Sequence, residues 1–181
     1  MINGEKILRL RYKDLEDEQY QPTGLDLTLD TISELKHNDG TTYGLLKNAK
    51  VLPAHEKIEA KSLMVSGMIV DAYTLEPNTS YIATTKEKIE INKNSAQFYL
   101  PRSSLLRAGI DVRTALGDAG YCGTLSFLII NHSSKPFVLE KGVRFAQLVD
   151  MEAKGVDGVY DGDYGDKTKW KINVDSTTEF M

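Results

Sequence analysis

The feature that most limits the fold of this chain is a succession of short β-type segments separated by turn-forming residues. Leucines at positions 25, 27 and 29 alternate with polar residues, which is the period-two pattern of a half-buried strand. Only residues 103–108 are predicted to form a brief helical turn, with one of its two serines as the N-cap. Many short strands with little helix predict a sandwich, a jelly roll or a distorted barrel. The other predicted strands are 64–73, 81–85, 89–91, 97–100, 123–131, 137–139 and 144–151.

The chain has 181 residues, which favours a single domain. We predict a β domain over residues 1–154 and a C-terminal tail over 155–181, where Gly, Asp, Lys and Tyr occur without an apolar period. The tail is either a lid over a site or a frayed terminus. Residues 2–15 could form a short helix or an arm, and the HNDG run at 37–40 predicts a turn suited to a hairpin.

Composition and charge exclude several function classes. The net charge of −4, from 22 basic and 26 acidic residues, argues against a nucleic-acid polymer as partner. Cys122 is the only cysteine, so no intrachain disulfide can form. Residues 1–16 lack the apolar core of a secretion signal, and the longest central apolar run, 125–130, is too short to span a bilayer. We therefore expect a soluble, cytoplasmic protein without a membrane partner.

Residues 101–123 contain the groups best suited to chemistry. Arg102, Ser103, Ser104 and Arg107 can donate hydrogen bonds to phosphate oxygens, and a helix N-terminus adds free backbone N–H groups. The alternative is an ordinary N-cap with two surface arginines. The span is short enough to fold back as one hairpin, so we predict that it brings these donors close to Asp118.

Three further side chains in this region and beyond it have both a chemical and a structural interpretation. Asp118, in the flexible bend 117–120, could act as a base, or it could bond its own backbone as turn aspartates do. Tyr121 could stack on a sugar or belong to the core. Gln147, in an apparent strand, could donate to a phosphate or pair with a neighbouring backbone group. The three histidines and Cys122 have no metal-ligand spacing, and neither a catalytic triad nor a glycine-rich phosphate loop is evident.

Taken together, the segments resemble the superfamily of trimeric deoxyuridine triphosphatases (dUTPases) and dCTP deaminases, closest to dUTPases of the deaminase-like branch. The matching blocks occur in the family's order and cover about residues 20–165. They are QPTGLDL at 21–27, PRSSLLR at 101–107, DAGYCG at 118–123, GVRFAQLV at 142–149 and, more weakly, YDGDY at 160–164.

The resemblance implies a mainly β, dUTPase-like distorted jelly roll or barrel with few short helices. It also implies hydrolysis of dUTP to dUMP and pyrophosphate, in which Asp118 activates water for attack on the α-phosphorus. Mg²⁺ would be held through phosphates and water, with no direct protein ligand. The sites of a homotrimer would lie between subunits.

The resemblance assigns a role to each remaining site residue. Asp26 would support Asp118 from behind, and Tyr121 would pack beneath the deoxyribose. The implied phosphate ligands are Arg102, Ser103, Ser104, Arg107 and Gln147; the backbone from Thr114 through Gly117 to Gly120 would read uracil, and Tyr160 and Tyr164 would close the tail over the site.

One position separates the two chemistries of the superfamily. Deaminases carry a proton-transferring glutamate five residues after the glycine that closes the third block, where this chain has Leu128. Leucine cannot transfer a proton, which favours hydrolysis. A dCTP deaminase using Glu140 or a carboxylate of a neighbouring chain stays open as an alternative.

The tail departs from both branches, which leaves a weakly catalytic nucleotide-binding regulator open as a further alternative. The glycine-rich closing motif of ordinary trimeric dUTPases is missing. Asp163 and Gly165 stand where the deaminase-like branch often has lysine and glutamine, and Lys167, Lys169 or Lys171 would have to take over their contacts.

Overall fold

The computed structural model describes residues 1–162, 164 and 165. The prediction made for Asp163 and for the lysines that follow it lies outside these residues. The described part is mainly β, with a 3-10 helix at Asp17–Gln19 and two α-helices, α1 (Glu5–Arg11) and α2 (Ser103–Arg107). The strands are β1 (Tyr20–Gln21), β2 (Gly24–Lys36), β3 (Gly44–Leu46), β4 (Ala49–Val51), β5 (Ala54–Ile58), β6 (Lys61–Val65), β7 (Met68–Leu75), β8 (Ser80–Glu90), β9 (Ser95–Pro101), β10 (Ile110–Arg113), β11 (Cys122–Asn131), β12 (Phe137–Glu140) and β13 (Arg144–Glu152).

The main sheet is a nearly closed barrel. Its strands follow the order β10-β11-β8-β2-β13-β9, and β1 and β5 pair with the two halves of β2. The edge strand β9 meets the loop that follows the other edge strand at one bridge, between Gln97 and Gly117. Two smaller sheets, β12-β7-β6 and β3-β4, complete the fold. The predicted mainly β architecture with few short helices is confirmed.

The core follows from the alternation in β2. Leu25, Leu27 and Leu29 have no solvent exposure, as the period-two pattern predicts. The pairing of β2 with β8 shifts between Leu29 and Thr31, and this irregularity lets one long strand serve both parts of the barrel. Tyr99, Phe127 and Phe145 pack ring against ring at centroid distances of 5.2 and 5.9 Å, so aromatic packing fills the interior beneath β9.

Several local predictions needed correction. The segment 64–73 is two strands rather than one, because Ser66 and Gly67 adopt φ angles of 51° and 82° and close a two-residue hairpin turn. A turn forms at Asn38, whose carbonyl accepts from Thr41 N–H at 3.2 Å, but β2 pairs with β5 rather than with β3. The predicted segments 81–85 and 89–91 belong to the continuous strand β8.

The N-terminal segments also differ in detail from their predictions. Residues 2–15 contain both proposed structures, since Ile2 pairs with Met151 as an arm before α1 begins. The N-cap of α2 is Arg102, in an extended conformation and without a side-chain cap, so the prediction of a serine cap was wrong. Within the described residues, no helix has the length and apolar character needed to cross a membrane.

Candidate active site

A cavity of about 610 Å³ lies beside the loop that joins β10 to β11. Asp118 is the only acidic residue among its described lining residues, and three tyrosines of the predicted site reach the same cavity wall. The lining residues are Tyr99, Ala115, Leu116, Gly117, Asp118, Tyr121, Thr124, Leu125, Ser126, Phe127, Tyr160, Tyr164 and Gly165. An aromatic cavity with one carboxylate can take a flat, polar ligand and act on it with one proton acceptor.

Asp118 is exposed at this cavity. Its backbone carbonyl accepts from the N–H of Tyr121 at 3.1 Å, which closes the turn. In the part of the chain that the structure describes, its side chain makes no hydrogen bond to the backbone of that turn. The purely structural interpretation of this aspartate therefore has no contact to support it.

Gly117 is fixed between β9 and the core. Its N–H and C=O exchange hydrogen bonds with the backbone of Gln97 at 2.8 and 2.9 Å. A Cβ at Gly117 would approach the Tyr99 hydroxyl and would lie 2.7 Å from Ile91 Cδ1. Thr114 is similarly engaged, because its Oγ1 donates to the Tyr99 carbonyl at 2.9 Å. Both predicted base-reading positions thus have defined backbones.

We expect Gly117→Ala to destabilise the fold, since no space exists for the added methyl group. Overpacking of this kind costs roughly 1–3 kcal/mol in the free energy of unfolding. Gly158→Ala is the matched control, because a Cβ there meets nothing within 4 Å and φ is not positive. Thermal unfolding of both variants measures the difference, and equal melting temperatures would contradict the close packing at Gly117.

Tyr121 forms a rigid wall of the cavity. Its hydroxyl donates to the carbonyl of Thr124 at 2.5 Å, and its ring meets the Tyr160 ring edge-on at a centroid distance of 5.5 Å. Burial raises the pKa of the Tyr121 phenol, and the nearby Tyr160 adds to this. The half-buried ring therefore stays neutral and presents a flat surface to the cavity.

The tail packs on the same turn. The N–H of Tyr160 donates to the carbonyl of Ala119 at 2.7 Å, and Tyr164 N–H donates to the Tyr160 hydroxyl at 3.3 Å. Gly120 has φ of 92°, and a Cβ there would lie 2.6 Å from Val159 Cβ. A glycine at this position is what permits the tail to approach so closely.

A cluster of polar side chains surrounds the buried carboxylate of Asp26. Arg102 Nη1 lies 3.1 Å and Arg144 Nη1 lies 3.4 Å from Asp26 Oδ2, and Gln147 hydrogen-bonds the same side chain. Burial raises the pKa of Asp26, while the two arginines and Gln147 oppose that rise. Gln147 faces Asp26 across the β2–β13 pair, and its amide bonds the Asp26 carboxylate rather than a backbone group.

Within one chain the Asp26 carboxylate contacts this arginine group, and its expected support of Asp118 stays a prediction that would require Asp118 of a neighbouring chain. Its described contacts run to the arginines and Gln147, and none reaches the loop that carries Asp118. Arg144 was missed as a site residue. Its position in the 142–149 block, three residues before Gln147, could have indicated that it belongs to this cluster.

None of the residues predicted to bind phosphate lines the cavity of Asp118, and one of them, Ser104, borders a different cavity of about 290 Å³. Ser104, Glu140 and Arg144 line it, and none of its described lining residues is shared with the cavity of Asp118. On α2, Arg107 Nη1 donates to Ser103 Oγ at 3.5 Å, as their four-residue spacing predicts. The expectation that one hairpin joins donors and base was wrong for a single chain.

Neither of the two residues that bear on deamination lines the cavity of Asp118. Leu128 is half-buried on β11, opposite Arg113 and Ile82, and does not line the larger cavity. Glu140 borders the smaller cavity with Ser104. Among the described residues of one chain, no carboxylate besides Asp118 lines its cavity.

Comparison with known proteins gives a consistent result. Residues 3–152 match the sequence model of a family described as dCTP deaminase-like. A curated relative from Methanopyrus kandleri, named probable deoxyuridine 5′-triphosphate nucleotidohydrolase, is 38% identical over 165 residues, covering 91% of this chain and 99% of its own. A relative from Methanocaldococcus jannaschii, named deoxyuridine 5′-triphosphate nucleotidohydrolase, is 31% identical over 164 residues, covering 91% and 98%. The solved 2′-deoxycytidine 5′-triphosphate deaminase from Agrobacterium tumefaciens shares the fold, with a TM-score of 0.62 at 20% identity, covering 84% of this chain and 48% of that chain.

Proposed function

Because the chain belongs to the dCTP deaminase-like family, we propose that it hydrolyses dUTP to dUMP and pyrophosphate. The observation that carries this proposal is a cavity whose described wall contains one carboxylate, Asp118. Leucine at position 128 supports hydrolysis over deamination, because the strand offers no proton carrier at that point.

Asp118 acts as the general base. It accepts a proton from a water molecule, the water oxygen bonds to the α-phosphorus, and the bond to the bridging oxygen of pyrophosphate breaks. The carboxylate is exposed at the cavity wall and makes no hydrogen bond within the described residues, which supports this role, since a base must reach its water without first breaking a hydrogen bond. Tyr121 packs beneath the deoxyribose, and the tail tyrosines Tyr160 and Tyr164 cover the nucleotide.

The phosphates bind to Ser103, Ser104, Arg107 and Gln147, with Arg102 close by. The described residues contain no cluster of three or more acidic, histidine or cysteine side chains that would hold a metal. Such surroundings fit Mg²⁺ that is carried by the triphosphate and water rather than by protein ligands. When bound, Mg²⁺ would neutralise charge on the phosphate oxygens.

A complete site requires two chains, and we propose a homotrimer. The support is that Ser103, Ser104 and Arg107 of α2 do not line the cavity of Asp118 in one chain, and that Ser104 borders a different cavity. Phe98, Leu100 and Leu106, near α2, are 48%, 52% and 56% exposed, and such apolar side chains commonly become buried between subunits. A neighbouring subunit that covers these apolar side chains would bring its own Asp118 cavity close to the residues that are proposed to bind phosphate.

Product analysis tests the reaction. Purified protein is incubated with Mg²⁺ and either dUTP or dCTP, and the products are separated by chromatography. We expect dUMP and pyrophosphate from dUTP. Conversion of dCTP to dUTP would instead support the deaminase, for which Glu140 would have to supply the proton, and tight binding without products would support a regulator.

A further inference from the structure

The barrel closes at the residue before Asp118. Gln97 on the edge strand β9 and Gly117 in the loop after β10 form the described bridge between the two ends of the main sheet. Their paired backbone hydrogen bonds, of 2.8 and 2.9 Å, fix the loop at this point. After Asp118 the turn is held by Ile91, which exchanges backbone hydrogen bonds with Gly120 and Tyr121 at 3.0 and 2.9 Å, so the Gln97–Gly117 pair is its attachment on the side before Asp118.

The side chain of Gln97 is fully buried, and its amide nitrogen and oxygen both make hydrogen bonds to groups inside the protein. Its Nε2 donates to the Tyr12 hydroxyl at 2.6 Å and to Asp150 Oδ1 at 3.1 Å. Its Oε1 accepts from the Tyr99 hydroxyl at 3.0 Å. Three contacts from three directions leave this amide one orientation, because any rotation would break at least one buried hydrogen bond.

Asp150 connects the amide to the N-terminal segment. Its carboxylate has no solvent exposure and pairs with Arg11 Nη1 at 2.5 Å. Asn3 Nδ2 donates to the same carboxylate oxygen, and Arg11 Nη1 also contacts Ser95 Oγ at 3.2 Å. The N-terminal arm and α1 thus hold Asp150, which in turn holds Gln97.

Gly117, the residue on the other side of the bridge, is also held in place. Tyr99, whose hydroxyl is bound by Gln97, stands directly over Gly117, and its carbonyl accepts from Thr114. Tyr99 is also a lining residue of the larger cavity. The loop that carries Asp118 is consequently attached at positions 114 and 117 to residues that Gln97 orients.

We propose that Gln97 is a positioning residue for Asp118, held in place by Asp150 and Tyr12. It does not touch substrate; it sets the backbone from which the catalytic carboxylate projects. This inference rests on the proposed role of Asp118. Misplacement of a catalytic group by about 1 Å can lower a rate by about a hundredfold, so a loosened bridge should reduce turnover while binding changes little.

The test replaces the amide by an apolar side chain of similar length, Gln97→Met. Its matched control is Asn131→Leu, because Asn131 is an equally buried amide that bonds the Leu75 and Lys135 carbonyls at the far end of β11. For Gln97→Met we expect kcat for dUTP to fall at least about tenfold with KM within about threefold. The control should lose stability and keep kcat.

A second readout is independent of turnover. Amide hydrogen exchange of residues 114–121 should accelerate in Gln97→Met and stay unchanged in Asn131→Leu, because only the first loses the group that orients the bridge. Unchanged protection and unchanged kcat in Gln97→Met would overturn the inference and leave dUTP hydrolysis intact. Lost protection with unchanged kcat would instead contradict the role proposed for Asp118.

Gln97→Glu gives a test for the case in which the methionine variant does not fold. A carboxyl group at this position faces Asp150 Oδ1 and the Tyr12 and Tyr99 hydroxyls, with Arg11 and Asn3 on the far side of Asp150. Two adjacent buried carboxylates repel, so the introduced group has a raised pKa. Below that pKa the introduced carboxyl group is neutral and can donate a hydrogen bond to Asp150. Above that pKa it is charged, and its repulsion from Asp150 strains the bridge between residue 97 and Gly117. We expect kcat relative to the wild type to fall as pH rises, and a constant ratio would overturn the inference.

Discussion

Asp118→Asn should lower kcat for dUTP at least about a hundredfold, which is within the range that a general base contributes. The amide has nearly the same shape as the carboxylate but cannot accept the proton of the attacking water. Nucleotide affinity should stay close to that of the wild type, because the proposed phosphate ligands are Ser103, Ser104 and Arg107 on α2 and Gln147 on β13. Steady-state kinetics and calorimetric binding of a non-hydrolysable dUTP analogue measure the two quantities separately.

Asp39→Asn is the matched control for this substitution. Asp39 is an exposed carboxylate in the 37–40 turn and lines neither described cavity of the site. The control should keep the wild-type kcat. Retention of the wild-type rate in Asp118→Asn would remove this carboxylate from the mechanism.

Two inactive variants should restore each other when their chains are mixed. Asp118→Asn removes the base. Arg107→Ala removes a side chain that is proposed to donate hydrogen bonds to phosphate from another part of the surface. If each site takes Asp118 from one chain and Arg107 from its neighbour, random assembly of equal amounts leaves about one quarter of the sites intact. Unfolding and refolding the mixed chains should therefore recover about a quarter of the wild-type activity.

The separately refolded variants are the control for this experiment, and both should stay inactive. Mixing without recovery, in oligomers shown to contain both chains, would contradict a site shared between subunits. A stable, active monomer of the wild-type chain would contradict it as well.

Local rules account for much of the fold. The leucines of β2 follow the period-two pattern because one face of the strand is buried, and the four-residue spacing of Ser103 and Arg107 follows from helix geometry. The split between β6 and β7 was also readable, since Ser66-Gly67 is a turn signal inside an apolar run. It was missed because the apolar residues continue on both sides of the turn.

The missed parts depend on long-range packing. Sequence proximity suggested that residues 101–123 join the phosphate-binding residues and the base, yet the chain passes through α2 and β10, and none of those residues lines the cavity of Asp118. Gln97, 21 residues before Asp118, gave no local signal, because its importance comes from the closure of the barrel. Asp26 likewise met arginines rather than Asp118, since its partners are fixed by the pairing of β2 with β13.

Hydrolysis in ¹⁸O-labelled water tests the central claim most directly. Attack on the α-phosphorus assisted by Asp118 predicts one labelled oxygen in dUMP and none in pyrophosphate, with the rate of labelling reduced at least about a hundredfold in Asp118→Asn. Label in pyrophosphate would show attack at another phosphorus. Release of ammonia from dCTP, with the label entering the uracil ring of the dUTP that forms, would show the other chemistry, and either result would contradict the account.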